Sequence, residues 1–589
     1  MAIRQRRRGW LAVTTVVAAS LVGGLTTTGT ASADRNPPAR TMDLQLLAVN
    51  DLHGNLEPPQ GSSGTILEPG ATVPTPAGGM AHLATQLEAA RAKNPNSLTV
   101  AAGDMIGASP LLSGLFHDEP TIEGLNKLGL DVSSVGNHEF DEGRAELLRM
   151  QNGGCHPKDG CYTPGREFKG ADFEYLAANV VDEKTGLPIM APISIKYVNG
   201  AWIGFIGMTL EGTPDVVTAE GVKGLKFKDE VETANRYTKL LKLIGVKSIV
   251  VLLHEGGQPT SGAYYNYDCN AGGALGLSGP VVDIAKNLDP EIDAVVTGHT
   301  HQSYVCSIPD PKGQPRLVTS GASLGRLYTE INLTYDKRTR DIVRTKVSAA
   351  NHIVRRTTAE HEGMKTLIKD WNALAAPVAN RTVGYIAGKI DGRGSTKPES
   401  PLGDLIADAQ LEATAAADKG AAQLALMNPG GIRSDFAYEG PEGNGVVTYA
   451  EAFTVQPFTN MMVTQTLTGQ AILDLLAQQV TGVNAEKPRW LQVSKGFAYT
   501  VDKTKTGAAM IVPGSVKLNG EPIDPAKSYR VSSNEFLAGG GDGFTAFKTG
   551  TDKLNGGSDL EALLAYLAAH SSAGTPLPVP AADRITFQG

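Results

Sequence analysis

His299 and His301 close a series of metal-ligating side chains that the chain carries in five short fragments. The fragments are Asn50-Asp-Leu-His-Gly54, Gly103-Asp104, Gly136-Asn-His-Glu-Phe-Asp141, His254 and Gly298-His-Thr-His301. They offer carboxylates, one amide and imidazoles, with no thiolate. That mixture suits a pair of divalent ions of the Zn, Mn or Fe class better than a structural zinc. A two-metal hydrolytic site needs a bridging carboxylate and further ligands for each ion, with positions left for water and substrate. Asp51 and His53, read as lying on one side of a short extended segment, can chelate one ion, with His301 as a further ligand. His254, His299 and Asn137 can hold the second, and Asp104 can bridge. His138, beside the ligand Asn137, is then left for acid chemistry, and Asp141 can orient its ring. Such a pair stabilises charge on a departing oxygen or on a phosphoryl group in flight.

Taken singly, these residues mean little. A lone histidine after a strand is more often a hydrogen-bonded structural residue, and Asp-x-His alone is close to noise. The set argues otherwise: of 11 histidines, five fall in these fragments, and shared context is what turns a fragment into a motif.

That context is a strand end in every case. Apolar, β-branched runs lead into Asp51, Asp104, Asn137, His254 and His299, as strands would. In a parallel sheet with helical crossovers, distant strand ends meet along one edge, where ligands collect. From Met42 to about Val347 strands alternate with amphipathic helical stretches, the pattern of an α/β domain. Asn199-Gly200 joins two strands in a hairpin, and 258–279 reads as a Gly- and Tyr-rich surface insertion near the metal edge. Residues 358–376 read as a linker helix with Met364, Leu367, Ile368, Trp371 and Leu374 on one face, stopped by Pro377.

The five fragments, in order and content, resemble the calcineurin-like metallophosphoesterases, and most closely their 5′-nucleotidase branch, which includes periplasmic UDP-sugar hydrolases. The resemblance implies a four-layer αββα catalytic domain over residues 42–347 and in-line attack on phosphorus by water held on two metals. It implies Asp51, His53, Asp104 and His301 for one ion, and Asp104, Asn137, His254 and His299 for the other. Position 301 varies within the family: closely studied members carry Gln or Asn there, and the wider superfamily His.

At 589 residues the chain divides into two or more domains. Residues 1–33 read as a cleaved export signal: a basic Arg4–Arg8 region, an apolar stretch from Leu11 to Leu25, and Ala31-Ser-Ala33 for cleavage. Arg7-Arg-Gly-Trp-Leu11 also resembles a twin-arginine signal. Cleavage would remove four arginines (Arg4, Arg6, Arg7, Arg8) and no acid, taking the formal charge from −8 to −12. So acidic a chain has no polybasic face for duplex nucleic acid. The expected location is secreted or periplasmic, with no membrane anchor. Four cysteines agree with export. Three pairings are possible, and proximity in the chain favours Cys155–Cys161 with Cys269–Cys306.

Beyond Pro377 the metal fragments cease and other signals begin. Asn428-Pro-Gly-Gly-Ile-Arg433 puts an arginine after a tight turn. Gln456-Pro-Phe-Thr-Asn460 is read as following a strand, and Gly469–Val480 as a helix with Ile472, Leu475 and Leu476 inward. Asn534–Phe544 is a glycine-dense loop. Singly these are ordinary turn chemistry. As a set they resemble the nucleoside-binding C-terminal domain of the 5′-nucleotidases, a smaller α+β domain over 378–587. That resemblance implies Phe458 and Phe536 as rings that sandwich a base, and Asn428 and Arg433 in a phosphate-contacting loop. It also implies Asn460 near the base and Asp542 for ribose hydroxyls.

One departure matters. The family carries arginines just before the segment matching Leu402-Gly-Asp-Leu405, and here that stretch is Ser395-Thr-Lys-Pro-Glu-Ser-Pro401. Lys397 or Arg393 is left to supply the contact, and a lysine lacks the bidentate fork. The expected activity is removal of phosphate from nucleotides. A stacking clamp also admits UDP-sugar, NAD or 2′,3′-cyclic substrates, so a phosphodiesterase on the same site is the alternative. A binding protein without turnover would show degraded ligand fragments, and none is degraded.

Overall fold

The computed structural model describes residues 40–589, apart from 60, 163–165, 219, 261–263, 272 and 274. The expected export signal at 1–33 lies outside the described residues.

Thirteen strands in chain order build the two sheets that carry the candidate ligands. They are β1 (Thr41–Val49), β2 (Ser97–Ala102), β3 (Val132–Ser134), β4 (Glu174–Leu176), β5 (Ile193–Val198), β6 (Ala201–Thr209) and β7 (Ser248–His254). Then follow β8 (Ile292–Thr297), β9 (Ser303–Pro309), β10 (Pro315–Gly321), β11 (Leu327–Asp336), β12 (Asp341–Ile342) and β13 (Ser348–Ile353). The first sheet runs β12-β11-β1-β2-β3-β4, with β13 also on β11; the second runs β9-β10-β8-β7-β6-β5. β1 to β4 are parallel to one another, as are β6, β7, β8 and β10.

The period of two in β1 shows why these strands are apolar on both faces. Leu44, Leu46 and Ala48 pack with Phe205, Val250, Leu252 and Val296, which joins the two sheets. Leu47 and Val49 point the other way, into a core formed with α1 (Met80–Lys93), α2 (Glu119–Leu128) and α3 (Gly143–Asn152). The second sheet's outer face is covered by α4 (Glu230–Leu243) and α5 (Pro280–Asn287). The layering is therefore αββα, and the ligand fragments converge from two sheets rather than along one edge.

The hairpin turns at Asn199 (φ 45°) and Gly200 (φ 99°), both left-handed as a type I′ turn requires. The linker helix departs from expectation. It runs Glu362–Ala379 with Pro377 inside it. A proline lacks one donor and crowds the preceding turn, yet the helix closes on the Asn380 amide, bonded to Ala376 and Val378 carbonyls. Its buried face is Met364, Trp371 and Ala375, while Leu374 is 43% exposed. The stripe simply continues at i+4 from Trp371. Those residues join the catalytic-side core, and Trp371 donates its indole N–H to Glu123.

The later part holds a five-stranded sheet, ordered 492–493, 424–427, 528–534, 461–468 and 551–558, against which 469–478 packs Ile472, Leu475 and Leu476. The Gln456–Asn460 segment follows a helix, Tyr449–Val455, and not a strand. A capping box between Thr448 and Glu451 starts that helix. Asn534–Phe544 likewise contains a helical turn, Glu535–Ala538, because the Asn534 side chain caps it by accepting from Leu537 N.

The disulfides are Cys155–Cys161 and Cys269–Cys306, 6 and 37 residues apart. Crosslinking a longer loop restricts the unfolded chain more. Replacing Cys269 and Cys306 by serine is expected to cost about 4 kcal/mol, and Cys155 with Cys161 about 2 kcal/mol. Urea unfolding of the two double variants measures this, and an equal cost would rule out loop length as the cause.

Candidate active site

The ligand fragments sit where β1, β2, β3, β7 and β8 end. The Asp51–His53 segment is not extended. Asp51 (φ 50°) and His53 (φ 47°) are left-handed, as are Asp104 (φ 51°), His299 (φ 67°) and His301 (φ 57°). Left-handed backbone is costly for residues with a β-carbon, and such strain concentrates at functional sites. Here the turns let a short segment aim two side chains at one point. Gly136 allows the approach of another, since a β-carbon there would collide with the Asp104 carboxylate.

Two lobes result. In the first, Asp51 Oδ1 lies 3.3 Å from His301 Nε2, which lies 3.1 Å from His53 Nε2. In the second, His254 Nε2 lies 3.0 Å from Asp104 Oδ2 and 3.1 Å from Asn137 Oδ1, and His299 Nδ1 is 2.9 Å from the same Asn137 oxygen. Asp104 Oδ2 also reaches within 3.6 Å of His53 Nε2, so one carboxylate faces both lobes. His53 Nδ1 donates to Gly107 O at 2.9 Å and His254 Nδ1 to Ala102 O at 2.7 Å. Those bonds turn the Nε2 atoms inward, the orientation a ligating histidine needs.

Burial drives His53 well down, His299 down to about 3 and His301 well down, which keeps all three neutral as a metal requires. Burial opposes charge on His254 too, but the Asp104 carboxylate outweighs it and holds the imidazole up to about 10. Lone pairs of carboxylates, amide and three neutral imidazoles thus converge on two points, while His254 keeps a proton against Asp104 that a dication would displace. The donor set fits a pair of divalent ions.

His138 stands beside the lobes. Its Nδ1 is 2.9 Å from Asp141 Oδ2 and its backbone N donates to Asp104 Oδ1 at 2.9 Å. Burial lowers this imidazole, but Asp141 and Asp104 outweigh it and raise it above the ordinary value. Its ring lies with His53 and Asp104 in a group whose ligand atoms are within 4.8 Å of one another.

Two residues escaped the sequence reading, although both sit inside the quoted fragments. Glu139 accepts backbone N–H bonds from Asp104 (2.9 Å), Met105 (2.8 Å) and Gly136, tying two ligand loops together. Burial, with Asp104 nearby, raises it to about 7. Asn50 donates to Asp51 Oδ2 and Ala322 O, each at 2.6 Å.

The later part of the chain closes over this centre. A cavity of about 620 Å³ is lined by Asp104, Asn137, His138 and His299 on one side and by Asn428, Arg433, Phe458, Asn460, Phe536 and Asp542 on the other. The Phe458 ring stacks on His138 (centroids 5.5 Å apart, 23°), and the Arg433 guanidinium lies 5.7 Å from the Phe458 centroid. Phe536 packs over Gly541. Asn428 donates to Asp542 Oδ2 at 3.3 Å, and Asp542 is paired with Arg489. Asn460 is buried, and its carbonyl accepts from Asp559 N. Of the two candidates for the extra cation, Arg393 lines the cavity, its Nη2 3.3 Å from His301 Nδ1. The neighbouring Arg433 guanidinium lowers that of Arg393 to about 9, although Arg393 is itself exposed. Lys397 is not among the lining residues.

Family models match in two stretches: calcineurin-like phosphoesterase over residues 44–303, and 5′-nucleotidase C-terminal domain over 378–549. The chain is 32% identical to endonuclease YhcR of Bacillus subtilis over 90% of its own length, but spans only 40% of that protein. It is 32% identical to the cell wall protein Lmo0130 of Listeria monocytogenes, covering 95% of this chain and 71% of the relative. Among solved structures, a 5′-nucleotidase precursor from Thermus thermophilus superposes with a TM-score of 0.72 at 25% identity, over 93% of this chain and all of that one.

Proposed function

This chain belongs to the calcineurin-like phosphoesterases of 5′-nucleotidase type, and from that premise we propose that it is an exported, metal-dependent hydrolase that removes phosphate from nucleotides. The observation that carries the reading is the shared cavity, with the ligand lobes on one wall and two phenylalanines and three arginines on the other.

When bound, a divalent pair on Asp51, His53, Asp104 and His301, and on Asp104, Asn137, His254 and His299, supplies Lewis acidity toward a phosphoryl oxygen and acidifies water. The protein does the rest. Were His301 Nε2 to hold an ion, its Nδ1 would carry the proton and offer Arg393 no acceptor. That guanidinium would then be free to turn with Arg433 onto a phosphate, in the fork geometry suited to it. His138, held by Asp141, donates to the leaving oxygen or the phosphoryl group. Phe458 and Phe536 stack on the base, Asn460 contacts it, and Asn428 and Asp542 orient the ribose side. Export is supported by the two disulfides, which persist in an oxidising compartment, and by likeness to a cell wall protein. Among the described residues no helix is long and apolar enough to cross a membrane.

The test separates the base clamp from the fold. Phe536→Ala is expected to raise KM for AMP by roughly 10- to 100-fold, since one stacking face contributes about 1–3 kcal/mol. Hydrolysis of p-nitrophenyl phosphate, which has no base, should hardly change. Phe458→Ala should hurt both substrates, because that ring also backs His138. Equal losses on both substrates in Phe536→Ala would sink the nucleoside reading.

A second reading, cleavage of nucleoside diphosphate esters, draws on an adjoining cavity of about 430 Å³. Arg326 joins Arg393 and Arg433 there beside His53 and His301. A second phosphate would suit that arginine group. Rates on AMP, UDP-glucose and NAD, compared in wild type and Arg326→Ala, decide between the two.

A further inference from the structure

A second group of metal-ligating side chains lies outside the centre described above. His117 Nε2 is 2.8 Å from Asp159 Oδ2, and His156 Nδ1 is 3.5 Å from the same oxygen. The two imidazoles stack with centroids 3.7 Å apart and an 18° tilt. On its other edge, His117 Nδ1 meets Glu142 Oε2 at 2.6 Å. His117, His156 and Asp159 each offer a ligand atom within 4.8 Å of the others.

We propose that His117 Nε2, His156 Nδ1 and an Asp159 carboxylate oxygen form a third, peripheral site for a divalent transition ion, zinc by ligand type, with Glu142 as the outer partner of His117. Two imidazoles and a carboxylate are a borderline-soft set that zinc prefers over magnesium or calcium. A carboxylate on the far nitrogen is the usual way a ligating histidine is oriented. The exposed side of Asp159 leaves room for water as a fourth ligand. The Cys155–Cys161 disulfide brackets both His156 and Asp159, so part of the ordering cost of the site is met before an ion arrives. Burial lowers the His117 imidazole, yet Glu142 and Asp159 outweigh it and hold it at about 9. The pocket already favours positive charge, and a dication carries more than a proton. Three changes would accompany the ion: His156 Nδ1 gives up the Asp159 amide bond at 3.1 Å, His117 gives up its Nε2 proton, and the stacked rings open, since the in-plane lone pairs of nearly parallel imidazoles do not meet at one point.

The location gives the ion a consequence. His117 and Glu142 line a cavity of about 390 Å³ that also takes in His138 and Asp141, and Glu142 adjoins Asp141 in the chain. An ion here would tie the disulfide loop to the turn that carries the His138–Asp141 pair.

The experiment adds Zn²⁺ to the metal-loaded full enzyme by equilibrium dialysis and counts bound metal by elemental analysis. Wild type is expected to take up one equivalent more than His156→Ala or Asp159→Asn. Glu142→Gln is expected to keep that equivalent with affinity reduced 10- to 100-fold, the usual effect of losing an outer partner. Near-ultraviolet circular dichroism checks that each variant is folded, and Asp159→Asn, a change at an exposed side chain, serves if His156→Ala is not. No additional equivalent in wild type would overturn the proposal and leave an ion-pair network. An additional equivalent untouched by all three substitutions would overturn it too, because the ion would then bind elsewhere.

Discussion

Asp104→Ala is expected to abolish metal-dependent turnover and to lower the count of bound ions. Its Oδ2 lies 3.0 Å from His254 Nε2 and 3.6 Å from His53 Nε2, so both lobes lose a ligand at once. Burial opposes this carboxylate's charge, but the surrounding histidines, His254 foremost, hold its pKa well below the ordinary range. It is therefore present as the anion a bridge requires. Asp104 also accepts the His138 backbone N–H at 2.9 Å, and alanine would loosen that turn as well. Asp104→Asn keeps the backbone bond and removes the charge, which separates the two effects. Unchanged metal content in both variants, read by elemental analysis, would mean that no two-ion centre is built on Asp104.

His138→Ala should keep the metals and lose about 10²- to 10⁴-fold in turnover, the range for a missing acid–base group. The loss should be largest for a nucleotide, whose leaving alkoxide needs a proton, and smaller for p-nitrophenyl phosphate, whose phenolate does not. Asp141→Asn should show the same ranking more weakly, since the imidazole remains but is less firmly held. His138 shares a ligand-like group with His53 and Asp104, so the metal count matters. Loss of an ion in His138→Ala would move that residue among the ligands and leave the acid unassigned.

The ligand fragments were legible because each follows a strand whose apolar, β-branched run is needed for burial on both faces. Leu44 to Val49 could be read as β1, and Asp51 and His53 therefore as lying just beyond a strand end. What the pattern of residues did not carry was backbone conformation. The left-handed turns at Asp51 and His53 are imposed by tertiary contacts such as the His53 Nδ1 bond to Gly107 O, which spans 54 residues. Glu139 was visible as a letter inside the motif, but its bonds to Asp104 N and Met105 N depend on how two loops meet. Arg393 against Lys397 was undecidable for a similar reason. Four residues apart in one loop, they differ only in which side of it faces His301. Pro377 misled because proline disfavours a helix interior, a rule that relaxes where packing by Trp371 and Ala375 has already fixed the helix on the core.

The left-handed ligands carry a consequence for how such an enzyme can evolve. Left-handed backbone costs a residue with a β-carbon about 1–2 kcal/mol, and His53, His299 and His301 each carry that cost. Glycine at any of the three would relieve the strain and remove a ligand in the same stroke. A library screened only for resistance to heat should therefore drift toward Gly at these positions and enrich stable, inactive chains. Selection that couples survival to turnover should instead keep a ligating side chain at all three, with Asn or Gln admitted beside His at 301, and gather its stabilising changes at a distance. Comparing the two enriched pools at positions 53, 299 and 301 would expose the conflict between durability and chemistry directly.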